Sequence, residues 1–178
     1  MAYLNVEQSP KSPSRNLLNQ DGINRAFSAK QRQSNLIYES NGASIIMISG
    51  KNTNHLGVEQ MPGSTLRGLQ VTNLERTLID IVVRPAYAGG ISKVIAAYRT
   101  AKDRASVDQL LSILDKLNYV YPYHQAIGFL MEKVGFPKKN LERLQSLGLQ
   151  HDFYLVHGMH QPKYSREWRL FFPADIRA

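Results

Sequence analysis

Apolar positions along this chain change their period twice, and the changes mark its elements. From Asn35 they alternate, in LIYES and then in ASIIMISG, with Asn41-Gly42 between the two runs. That dipeptide supplies the positive φ angles of a tight type I′ hairpin, so two antiparallel strands are predicted there. Leu69 to Val71 suggests one more strand. The spacing then lengthens to that of helices, predicted over Asn73 to Val83, Ile91 to Ala101, Val107 to Leu117, Pro122 to Val134 and Leu141 to Leu147. Thr72 and Glu75 have the spacing of a capping box ahead of a stripe of Leu74, Leu78, Ile81 and Val82, and Pro85 with Gly89-Gly90 closes that helix. Ser106 and Gln109 repeat the box ahead of Leu110, Leu111, Leu114 and Leu117. Pro122 suits a first helical turn, and Gly135 and Gly148 suit helix stops. Strand periodicity returns over Phe153 to Val156 and Glu167 to Phe172.

Met1 to Asn24 contains Pro10 and Pro13 and little periodicity, which predicts an extended or flexible lead-in over residues 1–22. Residues 23–178 are then one domain, as 178 residues suffice for a single sizeable core. Strands at both ends with helices between them predict an α+β fold, a small mixed or antiparallel sheet of the N-terminal hairpin and the C-terminal strands packed with about five helices.

Charge changes this picture by pointing to partners. The chain carries 22 Lys and Arg against 14 Asp and Glu, a formal charge of +8 that favours polyanions through long-range attraction. Basic residues outnumber acidic ones in each third of the chain, so there is no basic arm or acidic tail. Cysteine is absent, which removes disulfides, thiolate catalysis and Cys-ligated zinc, and suits a reducing cytoplasm. The N-terminus lacks a signal peptide's apolar core, and runs such as Leu78 to Val83 are too short to span a bilayer, so no membrane role is expected.

Catalytic motifs are each incomplete. Ser49-Gly50-Lys51-Asn52-Thr53 imitates the end of a phosphate loop, but Ile45 stands where its first glycine belongs. His151, Asp152, His157 and His160 fit no zinc spacing. A restriction-type nuclease needs an acid two residues before a lysine; Glu167 and Arg169 come nearest, and an arginine that stays charged cannot play the lysine's part. No Gly-x-Ser-x-Gly elbow is present. No catalytic, cofactor or metal residue is therefore assigned. What remains is charge. Arg76, Asp80 and Arg84 stand four apart and predict a plus, minus, plus ladder along one helix face. Lys138, Lys139 and Arg143, then Lys163, Arg166 and Arg169 with Tyr164 and Trp168 among them, are candidates for phosphate contacts with little base readout. Tyr119, Tyr121 and Tyr123 alternate ahead of a helix, where aromatics usually pack rather than stack on bases.

The stretch LQVTNLERTLIDIVVRPAYAGG, Leu69 to Gly90, resembles a block of the AbiEi family, antitoxins of bacterial abortive-infection (type IV) toxin-antitoxin systems and related transcriptional regulators. Four further pieces keep the family order: SGKNTNHLGV from Ser49, the helix around Ile91 to Ala101, AIGFLMEKVGF from Ala126 and YSREWRLFFP from Tyr164. The resemblance implies a non-enzymatic, phage-defence antitoxin domain like the family's C-terminal one, opposing a co-encoded AbiEii-like nucleotidyltransferase toxin. The family's N-terminal winged helix is missing, and Ala2, Leu4, Gln8 and Pro10 look like the region just after it, so operator-specific repression is not expected of this chain. Within the resembling block, Arg76, Asp80 and Arg84 become the expected partner surface, with Lys51 beside them in sequence. The rival expectation is a non-specific DNA- or RNA-binding module using the dispersed basic surface. The residues do not speak to oligomeric state.

Overall fold

The computed structural model describes residues 2–9, 18–61, 63 and 68–176. The fold is α+β, with six α-helices and three small sheets among those residues. The three sheets replace the single expected one: the hairpin and the C-terminal strands each find other partners. The chain also gathers into two compact units, residues 1–17 with 32–56, and residues 18–31 with 57–178.

The first unit is a three-stranded sheet. Strands β2 (Ile37–Ser40) and β3 (Ala43–Gly50) form the predicted hairpin, with Asn41 and Gly42 at φ 48° and 76° as a type I′ turn requires. On the other side of β3 runs β1 (Ala2–Glu7), parallel to it with Ala2 opposite Ile45. This corrects the lead-in reading for those residues: AYLNVE alternates well enough to pair, and β3 offers it a free edge. Residues 10–17 of the expected lead-in lie outside the described residues.

The second unit is mostly helical. It opens with α1 (Gln20–Ser28), which the lead-in and domain boundary at residue 22 cut through. Asn19 caps it, accepting from the Gly22 N–H, and its only buried residues, Ile23 and Phe27, lie one turn apart. A short antiparallel pair follows, β4 (Val58–Gln60) with β5 (Gln70–Thr72), then α2 (Leu74–Val83) and a 3₁₀ turn at Pro85–Ala88. Helices α3 (Ile91–Ala101), α4 (Val107–Leu117), α5 (Tyr123–Lys133) and α6 (Lys138–Gln145) complete the set. The last sheet places β8 (Leu170–Phe172) between β6 (Phe153–Tyr154), parallel to it, and β7 (Lys163–Ser165), antiparallel. Strand therefore covers only the end of the predicted Glu167 to Phe172, because residues 166–169 form a turn with Arg169 at φ 46°.

Helix α5 is the centre of this unit, with Gln125 through Met131 all buried. Against it pack α2, with Leu78, Ile79 and Val82 buried, α3, with Val94 and Tyr98, and α6, with Leu144, while α4 buries Leu110 and Ile113 and packs on α2. Buried side chains of this size contribute about 1.5–3 kcal/mol each, which outweighs the weak intrinsic preference of such short helices. The expected Thr72–Glu75 capping box does not form. Asn73 sits one residue closer and caps α2 by accepting from the Arg76 N–H, while buried Glu75 accepts at 2.8 Å from the Ser106 N–H at the start of α4. A carboxylate aimed at another helix's N-terminus satisfies both a buried charge and an orphan donor. Among the described residues no helix is long and apolar enough to cross a membrane.

Candidate functional site

The charge ladder of α2 is a lock rather than an exposed stripe. Arg76 is only 5% exposed, and its Nε donates to both carboxylate oxygens of Asp80, at 2.9 and 3.0 Å. Its aliphatic stem lies against Gly57, where a Cβ would come within 2.8 Å of the Arg76 Cβ; a φ of +70° there also favours glycine. Burial pushes the Asp80 carboxyl above its ordinary value, opposed by Arg76 and Arg84. Half-buried Arg84 follows the helix, its N–H bonded to the Asp80 carbonyl at 2.9 Å. At Arg76 the ladder is therefore buried: packing of the stem and pairing of the head offset the cost of taking the guanidinium out of water. Lys51, exposed in the loop that leaves β3, belongs to the other unit.

Next to this lock the second unit has a cleft of about 360 Å³. It is built by a change of direction: α4 ends on Asn118, left-handed at φ 43°, and the chain turns through Tyr119 to Pro122 into α5. Leu111, Leu114 and Asp115 of α4 form one wall, and Arg143, Ser146 and Leu147 from the end of α6 form the other. The three alternating tyrosines make the floor, packed edge to face, with Tyr119 and Tyr123 at 5.3 Å and Tyr123 and Phe153 at 5.4 Å. Packing, as expected of them, is therefore their first role. Burial holds the Tyr119 phenol neutral by pushing it up to about 12, with Asp80 adding to the shift and Arg76 and Arg84 opposing it. Tyr119 thus feels the α2 charges while lining the cleft.

Polar groups sit along the same walls. His124 Nε2 is 2.7 Å from the Gly148 carbonyl, which can only accept, so the proton sits on Nε2. Burial draws the His124 imidazole below its ordinary range and leaves it neutral at neutral pH. Arg143 reaches Asp108 at 2.5 Å, an exposed pair worth little to stability. Leu147, 56% exposed, lines the cleft from the far side.

The six expected nucleic-acid residues separate. Arg143 lines the cleft, and Lys138 stands 3.8 Å from Glu142. Arg169 donates from Nε to Asp152 at 2.9 Å, Tyr164 donates to the same carboxylate oxygen at 2.6 Å, and these bonds hold Asp152 below its ordinary value. Lys139, Lys163 and Arg166 are exposed and have no ion pair among the described residues. Trp168 is no stacking platform. It is fully buried against Gly128 of α5 and donates from Nε1 to Glu132 at 3.1 Å. Burial and the neighbouring Glu167 raise the Glu132 carboxyl above its ordinary range. His157 stacks on Phe27 at 4.1 Å and faces the Ala26 carbonyl. Among the described residues no three His, Cys, Asp or Glu side chains group as a metal site.

Sequence reasoning missed His124 and Leu147 as parts of a site. The Tyr119, Tyr121, Tyr123 alternation and Arg143 pointed to the place, though not as one site. Family models, curated proteins and solved structures gave no match to the chain.

Proposed function

We propose that this chain is a non-enzymatic, AbiEi-like antitoxin domain that opposes a co-encoded nucleotidyltransferase toxin of the AbiEii kind, and that it acts through the cleft between α4 and α6. The cleft composition carries the reading. Tyrosine and arginine beside an exposed leucine are side chains enriched at protein–protein contacts, tyrosine because it buries large area at little entropic cost and arginine because its planar head makes several hydrogen bonds. Tyr119, Tyr121 and Arg143 with Leu147 assemble that set on one surface of the helical unit. A second support is that two of the resembling blocks fit each other: Trp168 of YSREWRLFFP fills the space that Gly128 of AIGFLMEKVGF leaves. Arg76, Asp80 and Arg84 serve the site indirectly, by fixing α2 behind Tyr119, and Lys51 is left as a separate, weaker contact.

Growth tests the proposal. Co-expression with the nucleotidyltransferase encoded beside it should restore growth to cells that the toxin alone arrests. Continued arrest with the chain abundant and folded would end the antitoxin reading.

Lys139, Lys163 and Arg166 favour a second reading, a non-specific DNA- or RNA-binding module, since exposed cations neutralise phosphates without reading bases. Binding to a short duplex should then fade steeply as salt rises toward physiological strength.

A further inference from the structure

The sheet of the first unit has one face without charge. Register places Leu4 and Val6 of β1, Tyr38 of β2, and Ile45 and Met47 of β3 on the same side, since Leu4 pairs with Met47 and Tyr38 with Ile45. Leu36 extends the face, two residues before Tyr38 and with its carbonyl accepting from the Met47 N–H at 2.9 Å. The side chains that alternate with these include Asn5, Glu7 and Glu39 together with Ile37, Ile46 and Ile48, so the sheet's charges and its buried Ile46 lie on the other side. The charge-free face is open: Leu36 is 59% exposed and Tyr38 58%, with Leu4, Val6 and Ile45 also exposed.

We propose that this face packs against the same face of a second copy of the chain, forming a two-fold dimer by sheet-on-sheet contact. Two observations favour that occupant. The face carries no charge, so a nucleic acid or an acidic protein finds nothing there to pair with, and two copies of a chain of net charge +8 can meet there without bringing like charges into contact. Area is the second. The exposed side chains present roughly 500 Å² per copy, so two faces together reach the roughly 1,000 Å² that a specific interface needs. Two such sheets stack about 10 Å apart with their side chains interdigitated, and a two-fold axis makes the patch complementary to itself.

Sedimentation equilibrium or light scattering of the full chain tests this. The wild type should have twice the 20.1 kDa mass of one chain at micromolar concentration. Ile45→Lys places a charge in the middle of the face, at a position already exposed, and should weaken association by roughly 100-fold or more, giving the single-chain mass. Glu39→Gln, on the opposite face, should leave the dimer intact. A wild-type monomer overturns the proposal, as does a dimer that survives Ile45→Lys or one lost with Glu39→Gln. The melting temperature of each variant shows that the mass change is not unfolding.

Discussion

Gly128→Ala is the substitution whose effect the packing of the helical unit determines most sharply. A Cβ at this position would lie 2.0 Å from Cζ3 and 2.2 Å from Cη2 of Trp168, where ordinary carbon contacts are about 3.5–4.0 Å. Relief would require the indole to retreat by more than an ångström. It has no room, being fully buried, and retreat would also break its 3.1 Å bond to Glu132. Alanine is the better helix former by about 1 kcal/mol, and overpacking a filled core costs about 3 kcal/mol or more, so overpacking wins by about 2–4 kcal/mol. For a domain of this size that lowers the melting temperature by roughly 5–12 °C. Trp168→Phe removes part of the opposing ring and leaves a void, costing about 2 kcal/mol alone. The double variant should lose at least about 1 kcal/mol less than the sum of the two singles. Calorimetry of the four proteins decides it. A Gly128→Ala variant melting within about 2 °C of wild type, or strict additivity, would refute the reasoning.

Two further outcomes are expected. Arg76→Ala should destabilise by about 3 kcal/mol, because it strands the half-buried Asp80 carboxylate, and Asp80→Asn should recover part of that loss in denaturant titrations; an Arg76→Ala variant of wild-type stability would return the ladder to the solvated surface. Burial holds His124 and His157 below the ordinary imidazole range, so the unfolded chain takes up protons first, and stability complete above about pH 6.5 should fall as pH drops below it. Glu132 and Asp80, raised by burial, act in the opposite sense at lower pH, so the comparison is with His124→Asn, whose unfolding midpoint should fall less between pH 7.5 and 5.5; equal slopes would contradict the His124 assignment.

Much of the helical unit could be read from periodicity because its local signals agree with its packing. Ile91–Ala101 and Val107–Leu117 match their predicted bounds residue for residue, each with a sustained apolar stripe. Helix α1 was invisible for the opposite reason. Its nine residues include Gly22 and hide only Ile23 and Phe27, so its stability comes from Asn19 and from docking, with Gln20 bonded both ways to Asp152. The charges of α2 misled because spacing gives the face on which side chains lie and not what lies opposite. The small residue at Gly57, which admits the Arg76 stem, is nineteen positions away and gives no periodic signal. The cleft escaped for a similar cause, since its walls come from α4 and α6 and meet only through the fold. The spacing of Gly128 and Trp168, forty residues apart, likewise said nothing of their contact.

The most direct test of the proposed function is growth rescue by Leu147→Asp, measured beside its melting curve. Leu147 is 56% exposed on the rim of the cleft, so a carboxylate there should leave stability within about 0.5 kcal/mol of wild type. Buried against a partner, the same carboxylate would be desolvated and unpaired. The cleft reading predicts a variant that melts normally and no longer protects cells from the co-encoded nucleotidyltransferase. Full protection by folded Leu147→Asp would show that antitoxicity, if the chain has it, acts elsewhere on the molecule.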